Sequence, residues 1–247
     1  MQIARVVLDS SAKFADKPYS YILPDELSAQ VGSTVLVPFG HRKIIGFIVA
    51  VKGPVEPEDF TALDKLKKIE EVLSEPYFGP HAIQAAKFIC ENYLTSFSKS
   101  LKCFTPSGAV PRLSRIKGQM KVTYPIKNPR PSKMLEKAEP DTKKALTPEQ
   151  QIAYDTIISA YEKKDGQTVL LDGVTGSGKT EVYLQAIDHV LNQGQNAVVL
   201  IPEIALTPQM LSRFSARFQD KVGLLHSKMT PAERLDVWKK AQAGEIR

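Results

Sequence analysis

From the N-terminus to about residue 53, apolar positions fall in short runs, IARVVLD, YSYILP, STVLVPFG and KIIGFIVAVKG. Turn-forming segments around Pro18, Pro24 to Asp25 and Gly40 to His41 separate them. β-Branched and aromatic residues at this spacing predict a small β-barrel or curled sheet, with no helix. Proline and acidic residues from Pro54 to Phe60 predict a loop. After it, KLKKIEEVL and PHAIQAAKFICENYL carry apolar positions at helical spacing, for example Ile83, Ala86 and Ile89. The pattern changes at Pro106, where prolines at 106, 111, 125, 129, 131 and 140 and few large apolar residues predict a linker or a stripped-down module. From Leu146 helical and strand patterns alternate: a helix from Pro148, strand TVLLD, a glycine-rich loop, a second helix, strand NAVVLI, a helix from Pro208, strand VGLLH and a helix from Pro231. That alternation predicts right-handed crossovers and a parallel sheet. The fold class expected is multidomain α/β, with boundaries at 1–105, 106–145 and 146–247.

At 247 residues the chain exceeds the size at which one core comfortably keeps growing, which fits two domains plus connecting sequence. No apolar stretch approaches the roughly 20 residues that span a bilayer, and the N-terminus lacks an export signal. The expectation is a cytoplasmic protein without a membrane partner. Cys90 and Cys103 match neither a disulfide framework nor a zinc site. The net charge of +6 is unevenly spread: from Asn92 to Leu135 there is no Asp or Glu but nine Lys and Arg. Such a stretch suits a surface facing a polyanion such as nucleic acid, with Lys99, Lys102 and Arg112 as candidate phosphate contacts. It equally suits a solvated linker.

GVTGSGKT at Gly173 to Thr180 satisfies GxxxxGKT between an apolar strand pattern and a helix, the context this phosphate-binding loop requires. Gly173, Gly176 and Gly178 let the backbone approach phosphates, so that the N–H groups of Thr175, Gly176, Ser177 and Gly178 and the helix dipole face the anion. Lys179 reaches the β- and γ-phosphates and Thr180 offers a hydroxyl to Mg²⁺. The ligand expected is a nucleoside triphosphate with Mg²⁺. Upstream, Thr147, Pro148 and Gln150 make a helix start with capping-box logic. Gln150 can alternatively read the edge of adenine, because an amide both donates and accepts. Downstream, IPEIALTPQ places Thr207 at a helix start on the sheet edge where open parallel sheets bind ligands, a site suited to a strand phosphate. Glu203 follows a proline and the helix after the loop, so it is not read as the Mg²⁺-gripping acid. His41, His81 and His189 have no ligand spacing, and no role is assigned to them; His226, after the third strand pattern at the same sheet edge, has no paired acid or metal set and is read as structural before DNA or interdomain contact.

Four segments, GVTGSGKTEVY at 173–183, IPEIALTPQM at 201–210, LLHSKMTPAER at 224–234 and VPFG at 37–40, closely resemble the PriA family of bacterial primosomal replication-restart helicases, superfamily 2 DNA helicases. The resemblance implies an N-terminal domain that binds DNA 3′ ends, over 1–105, and part of the first ATPase lobe, of RecA-like fold, over 146–247. It implies ATP and Mg²⁺ as ligands, and as DNA partners replication forks, 3′ ends and single strands. It further implies primosome proteins and single-stranded-DNA-binding protein as partners, and 3′-to-5′ unwinding that restarts replication at stalled forks. The 3′-end pocket falls on Tyr19, Ser20, Tyr21 and Gly40. Some members carry Asp at its centre, and Ser20 would pair with a terminal hydroxyl more weakly than that charged acceptor. About 40 residues stand where the family has a larger winged-helix domain, so that domain is expected to be reduced. The family's acidic motif, second lobe and zinc cysteines would lie beyond Arg247, so no zinc ligands are expected here, and the chain alone is expected to bind DNA and ATP with little hydrolysis. A second reading is a non-catalytic fork- and 3′-end-binding module. A P-loop kinase or transporter ATPase leaves IPEIALTPQ and the strand-rich N-terminal part unexplained.

Overall fold

The computed structural model describes residues 2–10, 16–53, 66–126, 128–131, 138–202 and 207–247. Its architecture is mixed α/β, and it divides into one unit of Met1–Arg130 with Thr230–Leu235 and another of Pro131–Met229 with Asp236–Arg247. The four expected N-terminal strands form as β1 (Gln2–Leu8), β2 (Tyr19–Leu23), β3 (Thr34–Phe39) and β4 (Arg42–Lys52). With β5 (Glu71–Val72) they build an antiparallel sheet in the order β2-β1-β4-β3-β5. Alternation gives the sheet two buried faces. Ala4, Val6, Leu8, Tyr21, Leu23, Val35, Val37, Ile48 and Ile69 share one cluster. Val7 and Phe47 face the other way, against α1 (Pro80–Asn92) and α2 (Phe97–Lys102), where Ile83, Ala86, Phe97 and Leu101 complete a second cluster. Gly46 permits the close β1–β4 approach, since a Cβ there would meet Val6 Cγ1 at 2.4 Å.

The helix expected over KLKKIEEVL does not form among its described residues, 66–73. Backbone bonds to distant strands take its place. Ile22 N–H donates to Lys67 and Ile69 N–H to Ile22, while Glu70 and Leu73 N–H donate to Leu36 and Thr34. Ile69 and Leu73, four residues apart, are both buried by this extended path, so their spacing fitted a helix without requiring one. Beyond α2, β6 (Arg112–Ile116) and β7 (Gln119–Thr123) pair as a separate antiparallel ribbon. The loop expected at 54–60 lies outside the described residues.

In the second unit the predicted helix starts hold: α3 (Pro148–Lys163) and α5 (Pro208–Phe218) follow threonine N-caps, and α4 (Lys179–Asn192) leaves the glycine-rich loop. A further helix, α6, runs over Pro231–Gln242. Leu184 of α4 packs on Phe214 and Phe218 of α5. The segments TVLLD, NAVVLI and VGLLH, expected as strands of a parallel sheet, form no ladder among the described residues. Parallel strands are stable when both faces and neighbours are covered, yet Leu170, Val198 and Leu200 are about nine-tenths exposed. Backbone bonds at Arg247 tie one of the three to the residue that precedes another: Ala197 N–H donates to its carbonyl at 2.8 Å, and its own N–H donates to Lys221, just before VGLLH, at 3.0 Å.

Candidate functional site

The loop Gly173 to Thr180 is held by its own backbone and by one amide from α3. Ser177 N–H donates to the Val174 carbonyl at 3.2 Å, and Gly173 N–H to Asp172 Oδ1 at 2.8 Å. Gly178 caps α4 at φ +83°, and a Cβ there would lie 2.3 Å from Gln150 Nε2. The positive φ favours glycine there, and a larger residue would also push the Gln150 amide aside. Lys179 Nζ lies across the loop mouth, donating to the carbonyls of Gly173 and Val174. Because the first N–H groups of a helix lack intrahelical acceptors, the start of α4 offers donors and a positive dipole end beside that ammonium. A cleft of about 720 Å³ opens here, lined by residues 175–181 together with Thr147, Gln150, Lys144 and Arg213. Loop amides, an ammonium and the Thr180 hydroxyl are the donor set that a triphosphate with Mg²⁺ needs.

Gln150 takes the capping role and adds a brace. Its Oε1 accepts from Thr147 N–H at 3.0 Å, Thr147 Oγ1 accepts from Gln150 N–H at 3.3 Å, and its Nε2 donates to the Ser177 carbonyl at 2.8 Å. One N–H and one lone pair of this amide are therefore engaged by protein, and its second N–H and second lone pair are what it could offer to a base edge.

The residues that sequence reasoning missed lie one turn further on. Arg217, on α5 with only 6% of its side chain exposed, donates to both oxygens of Glu181 and to Asp141 Oδ2, all at 3.1 Å. Glu181 Oε1 also accepts from Gln185 and from Lys144 N–H, and Gln185 donates to the Lys144 carbonyl. Residues 141–144 are thereby clamped to the helix that carries Lys179. Burial pushes Glu181 upward, but bonds from Arg217, Gln185 and Lys144 together with the Arg217 charge outweigh it, so its carboxyl sits below the usual glutamate range. The Arg217 hydrogen bond, with its charge, likewise lowers Asp141. Glu181 was visible in the motif, but Arg217 and Asp141 lie 36 and 40 residues from it, beyond any local signal.

In the first unit, Tyr19 meets Phe39 edge to face at 5.2 Å, Lys17 Nζ lies 5.6 Å from the Tyr19 ring centre, and Tyr21 Oη donates to the Pro38 carbonyl at 3.2 Å. Burial, reinforced by neighbouring Tyr19, raises the Tyr21 phenol to about 12, so it stays a donor. Gly40 follows with φ +61°, and its carbonyl accepts from Lys67 Nζ at 2.9 Å. Tyr19, Tyr21 and Gly40 therefore gather with Lys67, which the sequence reading had not singled out. Ser20 does not join them: strand alternation turns it to the opposite face, where its Oγ accepts from Arg5 at 2.9 Å. Lys102 forms an ion pair with Asp9 at 2.6 Å, and Arg112 is exposed on β6. Lys99 lies in the last turn of α2, its N–H donating to the Ser96 cap. Thr207 caps α5 through Met210 N–H at 3.2 Å. Glu203 and the rest of 203–206 lie outside the described residues.

Two family models match successive stretches of the chain. Residues 5–106 match a PriA model described as "3′DNA-binding domain (3′BD)", and residues 143–241 match one described as "Type III restriction enzyme, res subunit". A replication restart protein PriA from Bacillus subtilis is 26% identical over 376 aligned positions that take in all of this chain and 46% of the relative. One from Haemophilus influenzae is 31% identical over 306 positions, covering 99% of this chain and 41% of the relative. One from Chlamydia pneumoniae is 46% identical over 108 positions, covering 44% of this chain and 14% of the relative. The chain thus spans less than half the length of these relatives. With relatives of one description aligned along its whole length and two family models matching in succession, the chain belongs to the PriA family of replication restart proteins.

Proposed function

We propose that this chain joins a DNA 3′-end-binding unit to part of the ATPase lobe of a 3′-to-5′ DNA helicase that acts at stalled replication forks and starts primosome assembly. The observation that carries the reading is the loop at the start of α4, where Lys179, Thr180 and the helix donors line one cleft. Loop amides and Lys179 would hold the triphosphate and Thr180 the Mg²⁺, which when bound neutralises phosphate charge. Gln150 braces the loop and Arg213 adds a cation to the cleft wall. The backbone bonds of Arg247 to Ala197 and Lys221 support a RecA-like parallel sheet for this lobe. The bonds of residues 67–69 to β2 and of 70–73 to β3 support a small barrel for the first unit.

In the DNA-binding unit, Tyr19 and Lys67 beside Gly40 would take the terminal nucleotide by stacking and by phosphate attraction, with Lys99 and Arg112 as further phosphate contacts, Lys102 being held by Asp9. Stacking a base on an aromatic ring contributes roughly 1–3 kcal/mol. Tyr19→Ala is therefore expected to weaken binding of a short single strand with a free 3′ terminus about tenfold, while a circular single strand of the same composition binds the variant and the parent alike. Equal loss on both strands in a fluorescence anisotropy titration would remove end recognition from the proposal.

A second reading, a non-catalytic module that binds forks and 3′ ends, is favoured by one observation: the apolar segments around Leu170, Val198 and Leu200 are exposed and form no ladder among the described residues. DNA-stimulated ATP hydrolysis by the chain, abolished in Lys179→Ala, would exclude it.

A further inference from the structure

The ribbon β6–β7 lies between the two matched stretches, 5–106 and 143–241. Its sequence, RLSRIKGQMKVT, holds four cations and no carboxylate. Lys117 and Gly118 both take positive φ, 49° and 81°, the signature of a type I′ turn whose twist matches that of paired strands. Register fixes the two faces. Leu113 and Val122 lie opposite each other and pack on Leu36, Ile45 and Leu73, which anchors one face to the sheet. The other face carries Arg112 and Lys121 around a Ser114–Thr123 hydroxyl pair 3.0 Å apart, with Lys117 at the tip. Arg112, Lys117 and Lys121 are exposed, and among the described residues none of them enters an ion pair. Arg115 is used within the turn, its Nε donating to the Gly118 carbonyl. The carboxylate recorded nearby is Glu71, which acts on Tyr124 at the ribbon base.

We infer that this ribbon is a second DNA site, seated in the major groove of duplex DNA. The inference rests on the proposed DNA-binding role and adds the form of nucleic acid recognised. Five-residue strands reach about 17 Å, and a two-stranded ribbon fits a groove about 12 Å wide. Three unpaired cations around its rim suit phosphates, while Ser114, Gln119 and Thr123 supply donors and acceptors, and Ile116 on the same face supplies apolar surface near the tip. Proteins that hold single strands stack bases on aromatic side chains, and the ribbon has none between Arg112 and Thr123. The duplex is therefore the better guest. Its site is separate from the Tyr19 pocket, so one unit can grip a terminus and the adjoining arm by different chemistry.

The test uses a dumbbell duplex closed by hairpin loops, which has no 3′ terminus, beside a short single strand with a free 3′ end. In the double variant Lys117→Asn, Lys121→Gln, asparagine suits the positive φ at the turn. Dumbbell affinity is expected to fall at least tenfold. The slope of log affinity against log salt should flatten by roughly 0.9 for each phosphate contact removed. Binding of the single strand stays within twofold, and in the parent protein guanine N7 of the dumbbell is protected from methylation. Unchanged dumbbell affinity and slope in the variant would overturn the inference, as would equal loss on both DNAs or unprotected N7. A parent that binds the single strand but not the dumbbell overturns the ribbon site and leaves the 3′-end reading standing. The reverse overturns end recognition alone. If the variant's thermal midpoint drops, Lys117→Cys carrying a photoreactive label decides instead: crosslinking to the dumbbell supports the site, and its absence refutes it.

Discussion

Replacing Lys179 by alanine is expected to weaken binding of a fluorescent ATP analogue about 100-fold, with thermal unfolding of the chain unchanged. Nζ reaches only the carbonyls of Gly173 and Val174 in a solvent-exposed mouth, so its removal leaves no buried group unsatisfied. The same ammonium beside the loop amides would meet the phosphates through charge-assisted bonds worth about 2–3 kcal/mol together. At 1.4 kcal/mol per tenfold, that is roughly two orders of magnitude in affinity. Binding of a short single strand with a 3′ end should not change, because Tyr19 and Lys67 belong to the other unit. Titration of both ligands against parent and variant checks this. Parent-like affinity for the nucleotide in Lys179→Ala would show that the loop is not its phosphate site.

Arg217→Ala carries the largest expected effect on stability. The side chain is nearly buried between Glu181, itself 15% exposed, and Asp141, which is 33% exposed. Its loss strands two carboxylates and releases residues 141–144 from α4. Removing one partner of a buried pair costs about 3–5 kcal/mol. The outer exposure of Asp141 places the expectation near the lower end, about 3 kcal/mol. Trp238, the single tryptophan, belongs to the second unit, so its fluorescence in urea reports the change there. Arg217→Met combined with Glu181→Gln should recover much of the loss, because charge and partner leave together. A midpoint for Arg217→Ala within error of the parent would mean that the clamp does not hold this unit together.

The same cluster sets an acid limit. Glu181 and Asp141 both have folded values below their ordinary 4.5 and 3.8. Their contribution is therefore complete above those values and is lost as pH falls through the lowered ones. Unfolding of the second unit followed at Trp238 should show parent stability declining below pH about 4.5, and a shallower decline when Glu181 is glutamine. Parallel declines would assign the acid sensitivity elsewhere.

What could be read from the residues alone was whatever short stretches decide. The phosphate-binding loop draws its donors from eight consecutive residues. The starts of α3 and α5 need only a threonine cap and the proline after it, and β1 to β4 are each bounded by turn residues nearby. Family membership was legible for the same reason, since its motifs are contiguous. The remainder depended on partners far apart in the chain. Residues 66–73 have spacing compatible with a helix, and bonds to β2 and β3 decide that they are extended. Ser20 sits between two tyrosines in sequence, but the two-residue period of a strand sends it to Arg5 instead. Lys102 is one cation in a basic run until Asp9, 93 residues earlier, neutralises it. Arg217 gains its role only when α5 packs on α4 and brings Glu181 and Asp141 within 3.1 Å. Local chemistry thus determined which residues cap, turn and cradle phosphate. Folding in three dimensions decided which charges remain free to meet DNA and which are used to hold the fold, because pairing across tens of residues depends on which surfaces bury each other.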